Sequence, residues 1–74
     1  MEKTFGEKRI RTNFNPSQST KIDQIKAKFA ELIDELEKEM TSPQIISGEK
    51  ARLIRIAQTK IEEAAMWAVK SLTE

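Results

Sequence analysis

Hydrophobic residues in the middle of the chain recur at the spacing of a helix. Successive members are three or four residues apart, which fits a helix and not a strand: Ile22, Ile25, Phe29, Leu32, Leu36 and Met40. Ala30 and Ile33 widen this apolar face, and Asp34 belongs to the charged face opposite. Asn15-Pro16 offers an N-cap and a proline in the first turn, while Pro43 disfavours helix in the residue before it. The pattern predicts a first helix over about residues 16–41.

A second helical run follows a short connection. It begins near Ser47, has Glu49 in the first turn where the helix dipole favours an acidic side chain, and is predicted over about residues 48–73. Because the connection is short, the helices should form an antiparallel hairpin. This run carries two offset apolar stripes, the first being Ile54, Ala57, Ile61, Ala64, Ala65, Ala68 and Leu72, and the second Leu53, Ile56, Met66, Trp67 and Val69. One partner helix covers only one stripe, so the hairpin is predicted to self-associate.

The first 14 residues show neither helical nor strand periodicity. Phe5, Ile10 and Phe14 are apolar but too widely spaced for one amphipathic element. They are interpreted as anchors of an extended N-terminal arm. The predicted fold is therefore all-α and comprises a single domain, residues 1–74. An extended arm at 1–14 precedes an antiparallel two-helix hairpin that self-associates into a helical oligomer.

The amino-acid composition limits the catalytic and metal-binding chemistry that the chain can carry out. The chain has no histidine and no cysteine, which excludes a Ser–His triad, a thiol nucleophile, a disulfide and thiolate or imidazole metal sites. We expect no enzyme, no metal and no cofactor. The longest uncharged stretch late in the chain, 64–69, is far shorter than the ~20 residues of a membrane span. No residue pattern indicates secretion, so a cytoplasmic location is expected.

The charge is unevenly distributed, although the net charge is only +1. Residues 1–28 hold seven basic and three acidic residues. Cations on the arm and on the first turns of helix 1 flank Phe14, and cations beside an aromatic ring suit a ligand with phosphates and bases. Composition alone favours the simpler interpretation, a solvated basic surface. The low net charge and the absence of a recognition-helix motif argue against double-stranded DNA.

Helix 2 carries a polar track of Arg52, Arg55 and Thr59, which share one side of the helix. Two interpretations remain open. The track lines a pocket between protomers, or it pairs with Glu35 and Glu39 of helix 1 across the hairpin.

Several segments together resemble a known family. They are Phe5-Gly6-Glu7-Lys8-Arg9-Ile10-Arg11, Phe14-Asn15-Pro16-Ser17, Ile22-Asp23-Gln24-Ile25-Lys26, Gly48-Glu49-Lys50-Ala51-Arg52-Leu53, Ala57-Gln58-Thr59 and Glu62-Glu63-Ala64-Ala65-Met66-Trp67-Ala68-Val69-Lys70. The chain resembles the small helical-hairpin domain of phage anti-CBASS proteins, which are sponges for cyclic oligonucleotide second messengers. The resemblance implies a homo-oligomer, typically a hexamer, with cyclic dinucleotide pockets shared between protomers. It also implies a cyclic trinucleotide site in some members, and no cleavage of the ligand.

The resemblance also implies site residues. Phe14 matches the family's base-stacking aromatic, where tyrosine is usual, and Lys26 matches its phosphate-binding lysine. Lys28 is a neighbouring candidate, and Arg52 and Thr59 match the arginine and threonine of the second helix. Arg9 and Arg11 are added as candidates from their charge alone. The alternatives are a structural or protein-interaction hairpin without a nucleotide ligand and, less favoured, a binder of single-stranded nucleic acid.

Overall fold

The computed structural model describes residues 2–10, 21–41 and 47–74. Three helices occupy these ranges: α1 (Phe5–Ile10), α2 (Lys21–Met40) and α3 (Gly48–Leu72). No strand is present in the described ranges, and the all-α class is confirmed. Helix α2 ends one residue before the predicted boundary and α3 ends at Leu72 rather than at 73. The predicted beginning of helix 1 at residue 16 and the connection at 42–46 lie outside the described residues.

Polar contacts join α2 and α3 in antiparallel order. Lys50 Nζ lies 3.1 Å from Glu39 Oε1 near the connection, and Gln58 Nε2 donates to Ile33 O at 3.1 Å further along. The partner on α2 thus moves back along the chain as α3 advances. At the beginning of α3, Ser47 is the N-cap and its hydroxyl accepts a hydrogen bond from Lys50 N. The observed pairing is that of the predicted hairpin.

The N-terminal segment differs from the prediction. An extended arm is wrong for Phe5–Ile10, because these residues form α1. The reason is a capping box at Thr4 and Glu7: Glu7 N donates to Thr4 Oγ1 at 3.1 Å, and Thr4 N donates to Glu7 Oε1 at 2.8 Å. These reciprocal bonds satisfy backbone donors that a short helix otherwise leaves free.

Helix α1 lies directly against the backbone of α2 at Gly6. A Cβ atom at this position would overlap Ala30 O and would lie 2.8 Å from Asp34 Oδ1. The lack of a side chain lets Gly6 N donate to Asp34 Oδ1 at 2.6 Å. A glycine is therefore required here for close approach, and Asp34 holds α1 in place.

The core forms where all three helices meet. Its buried members are Ile10, Ala30, Ile33 and Ala65, with Phe5, Phe29 and Ile61 packed against them. Two details of the predicted apolar face of α2 are wrong. Leu32 is exposed, and Asp34, expected on the solvent face, contacts α1. Because α1 docks beside Ala30, the buried side of α2 is centred on Ala30 and Ile33 and does not include Leu32.

Part of the apolar surface of α3 has no partner within the described chain. Leu53, Ile56, Met66 and Trp67 are exposed, and 57% of Trp67 is accessible to solvent. These four belong to the predicted second stripe, whereas the buried apolar residues of α3, Ile54 and Ala65, belong to the first. In the described ranges, none of the helices has both the length and the apolar character needed to cross a membrane.

Candidate functional site

A pocket of about 580 Å³ opens beside the junction of the three helices. Arg9 and Ile10 of α1 form one edge, and Lys26 of α2 reaches in from another. The wall belongs to α3. Its residues are polar in the first part of the wall and apolar in the second: Thr59, Glu62, Glu63, Ala65, Met66 and Val69. The pocket combines charged side chains with apolar ones, and small-molecule sites commonly pair apolar surface with a few polar groups.

Arg9 is the most firmly placed cation of the pocket. Its Nε and Nη2 both lie 2.7 Å from Glu62 Oε2. Its Cζ atom lies 5.5 Å from the centre of the Phe5 ring, within the range of a cation–π contact. These contacts fix the guanidinium. Because the Arg9 side chain is still 29% exposed, a ligand in the pocket can reach it.

Lys26 is the second cation. It is half-buried on α2, four residues before the buried Ala30. Among the described residues, Lys26 has no hydrogen bond or ion pair. An ammonium in a partly enclosed position, with its three donors unused within this part of the chain, is suited to bind an anion.

The pocket is not purely cationic. Glu62 is engaged by Arg9, and Glu63 Oε2 lies 3.8 Å from Lys60 Nζ. Both carboxylates and the apolar residues Met66 and Val69 lie on the wall but were not expected there. Spacing along α3 alone does not reveal them as site residues, because only the docking of α1 brings Arg9 to Glu62.

The predicted site residues separate into three groups. Arg9, Lys26 and Thr59 line the pocket. Lys28 is exposed and does not line it, since two residues along a helix correspond to about 200° of rotation from Lys26. Arg52 also lies apart: it pairs with Glu49 one turn earlier in α3, and these hydrogen bonds lower the pKa of Glu49 and raise that of Arg52. Arg11 and Phe14 lie outside the described residues.

A polar network joins the hairpin beneath Phe5. Arg55 Nη1 donates to Glu37 Oε1 at 2.7 Å and to Gln58 Oε1 at 2.9 Å. Gln58 is fully buried, and its Nε2 also donates to Glu37 at 3.2 Å. Burial raises the pKa of Glu37, but the hydrogen bonds from Gln58 and Arg55 and the charge of Arg55 outweigh it, so that the pKa falls below 4.5.

The network includes Arg55, one residue of the polar track of α3. Arg55 pairs across the hairpin with Glu37, and Lys50 pairs with Glu39, whereas Thr59 lines the pocket. Within the track, Arg55 thus pairs across the hairpin, but with Glu37 and not with Glu35 or Glu39, and Arg52 pairs within α3. The pocket that Thr59 lines is formed within one chain, so a pocket between protomers stays a prediction. Arg55 also places its Cζ atom 5.4 Å from the centre of the Phe5 ring, which ties α1 to the paired helices.

Comparison with known proteins gives a family for this arrangement. No curated protein and no solved structure matches the chain. A family model described as the Acb2/Tad1 hairpin domain matches residues 6–73. The match runs from the docking glycine of α1 to the end of α3 and includes the whole pocket. It also confirms the resemblance to anti-CBASS proteins that the sequence shows. The chain therefore belongs to the Acb2/Tad1 hairpin-domain family.

Proposed function

We propose that the protein sequesters cyclic oligonucleotide second messengers without cleaving them. The principal ligands are cyclic dinucleotides, and cyclic trinucleotides form a second class. Sequestration in the host cell cytoplasm blocks CBASS antiviral signalling. Membership of the Acb2/Tad1 family supports this function. The observation that carries it is the pocket itself, in which Arg9 and Lys26 lie opposite a wall of α3 that includes Ala65, Met66 and Val69.

The chemistry of the pocket suits a cyclic dinucleotide. Such a ligand carries two phosphates and two flat bases. Arg9 and Lys26 supply two cationic groups, and a charge-assisted hydrogen bond contributes about 1.5–3 kcal/mol. Ile10, Met66 and Val69 supply apolar surface for a base face. The volume of about 580 Å³ is also within the usual range of ligand pockets, roughly 300–1,000 Å³.

The proposal includes self-association. Met66 lines the pocket and is also exposed, so a second protomer packed on this side of α3 would enclose the ligand further. Pairing of two protomers would present two copies of Lys26 to the two phosphates of the ligand. The proposed assembly is a homo-oligomer, and the family resemblance favours a hexamer.

The absence of turnover is part of the same proposal. Cleavage of a phosphodiester needs an activated nucleophile or a positioned general acid and base. The chain contains no histidine or cysteine, and the pocket carboxylate Glu62 is engaged by Arg9. The ligand is expected to leave the protein chemically unchanged.

Calorimetric titration with a cyclic dinucleotide tests the proposal. Lys26→Glu and Lys28→Glu make the same charge reversal two residues apart on α2, one inside the pocket and one outside it. Loss of the Lys26 contact should weaken binding at least about tenfold. Lys28→Glu should change the affinity by no more than about threefold.

Two results would contradict the proposal. One is a wild-type protein that binds neither a cyclic dinucleotide nor a cyclic trinucleotide. In that case the exposed apolar stripe of α3 would favour the alternative, a protein-interaction hairpin. The other is an equal loss of affinity in the two lysine variants, which would assign binding to overall charge and not to this pocket.

A further inference from the structure

The ion pair between Arg9 and Glu62 uses only one edge of the guanidinium. Nε and Nη2 both lie 2.7 Å from Glu62 Oε2, which is the side-on edge of the arginine fork. The end-on edge, formed by Nη1 and the second N–H of Nη2, is not used by Glu62. A guanidinium can bind one oxyanion at each edge, because its five N–H donors lie in one plane. Arg9 can therefore keep Glu62 while it binds a phosphate.

The same ion pair determines where Arg9 lies. Arg9 is on α1 and Glu62 is on α3, 53 residues apart in sequence. The Phe5 ring lies 5.5 Å from Arg9 Cζ, so an aromatic face and a carboxylate restrain the guanidinium from two directions. Without the carboxylate, a long and partly exposed arginine side chain would sample several rotamers.

We propose that Glu62 is a positioning residue for ligand binding, a role that rests on the proposed function. Glu62 holds the side-on edge of Arg9 and so aims the end-on edge at a phosphate of the cyclic dinucleotide. The side-chain entropy of Arg9 is then lost on folding and not on binding. Fixing one flexible side chain in advance is expected to improve affinity about three- to tenfold.

The negative charge of Glu62 alone would have the opposite effect on ligand affinity. Glu62 is an anion on the wall of a pocket that takes an anionic ligand, so its removal should tighten binding. The two effects are separated by comparing Glu62→Gln with Glu62→Ala. Both variants remove the same charge, and only glutamine keeps an oxygen that accepts from Arg9 Nε–H. A difference between the two variants that requires Arg9 therefore reports the positioning contact.

The experiment is calorimetric titration of both variants with a cyclic dinucleotide. Glu62→Gln should bind as tightly as the wild type or more tightly, and Glu62→Ala should bind about three- to tenfold more weakly than Glu62→Gln. In an Arg9→Ala background the difference between alanine and glutamine at 62 should vanish. Glu63 supplies the matched control, since it also lines the pocket but pairs with Lys60. Alanine and glutamine at position 63 should bind alike.

Three other results would each contradict a part of the proposal. If alanine and glutamine at 62 bind equally in the wild-type background, positioning by Glu62 is wrong and sequestration still stands. If the difference persists in Arg9→Ala, Glu62 acts on the fold and not through Arg9. If the wild type binds no cyclic dinucleotide, the role of Glu62 is wrong, and if it binds no cyclic trinucleotide either, the proposed function fails as well.

Discussion

Replacement of Gly6 by alanine tests how the pocket is assembled. In an exposed helix, Gly→Ala stabilises by about 1 kcal/mol through helix propensity. Here the added Cβ would overlap Ala30 O and would lie 2.8 Å from Asp34 Oδ1. The neighbour at Ala30 is backbone within α2, so it cannot move aside as a flexible side chain would. Helix α1 must lift away from α2.

The loss of stability in Gly6→Ala comes from a broken hydrogen bond and an overpacked contact. The hydrogen bond from Gly6 N to Asp34, 2.6 Å long and to a charged acceptor, contributes about 1.5–3 kcal/mol. Overpacking at a close contact costs about 1–3 kcal/mol more. After the gain in helix propensity, Gly6→Ala should lower the free energy of unfolding by about 1.5–5 kcal/mol. Displacement of α1 also moves Arg9, so ligand affinity should fall with stability.

Denaturant unfolding followed by circular dichroism measures the change at fixed protein concentration. Gly48→Ala is the matched control, because a Cβ at that helical glycine meets nothing within 4 Å. This control should leave stability unchanged or raise it slightly. A Gly6→Ala protein as stable as Gly48→Ala would refute the close docking of α1 on α2.

Three further outcomes are expected. Trp67→Glu should yield folded monomers by analytical ultracentrifugation, since the exposed ring belongs to the stripe of α3 that is predicted to mediate self-association. A wild type that is itself monomeric at micromolar concentration would contradict this. Burial opposes the shift, but the hydrogen bonds from Gln58 and Arg55 lower the pKa of Glu37 from its ordinary value of 4.5. Its stabilisation is therefore present above that ordinary value and is lost as the pH falls through the lowered pKa. Acid unfolding of Glu37→Gln should accordingly depend less on pH than that of the wild type, and an identical dependence would argue against the network. Phe14→Ala should weaken ligand binding by about 1–3 kcal/mol per stacked base without loss of the hairpin; equal affinity would remove Phe14 from the site.

The hairpin could be predicted because its signals are local. The three-and-four spacing of apolar residues and the cap at Ser47 act within a few residues of each other. The unpaired stripe of Leu53, Ile56 and Trp67 followed from counting the apolar faces of α3 against one partner helix. Periodicity did not reveal α1, since six residues contain too few turns to show it. The capping box at Thr4 and Glu7 was the available signal.

The pocket was predictable only in part. Lys26 and Thr59 were identified through the family resemblance and Arg9 through its charge, and all three line one pocket. Glu62 was hidden because its partner is 53 residues away in sequence. Asp34 was assigned to solvent because helical periodicity describes one helix and its partner, and does not anticipate a third element on the side of α2.

The most direct test of sequestration is to identify what the protein carries. The protein is purified from cells that produce cyclic dinucleotides, heated to release bound small molecules, and the supernatant is examined by mass spectrometry. Sequestration predicts an intact cyclic dinucleotide from the wild type and a much smaller amount from Lys26→Glu. Release of no cyclic nucleotide, or only of its linear product, from the wild type would show that the protein does not sequester this ligand.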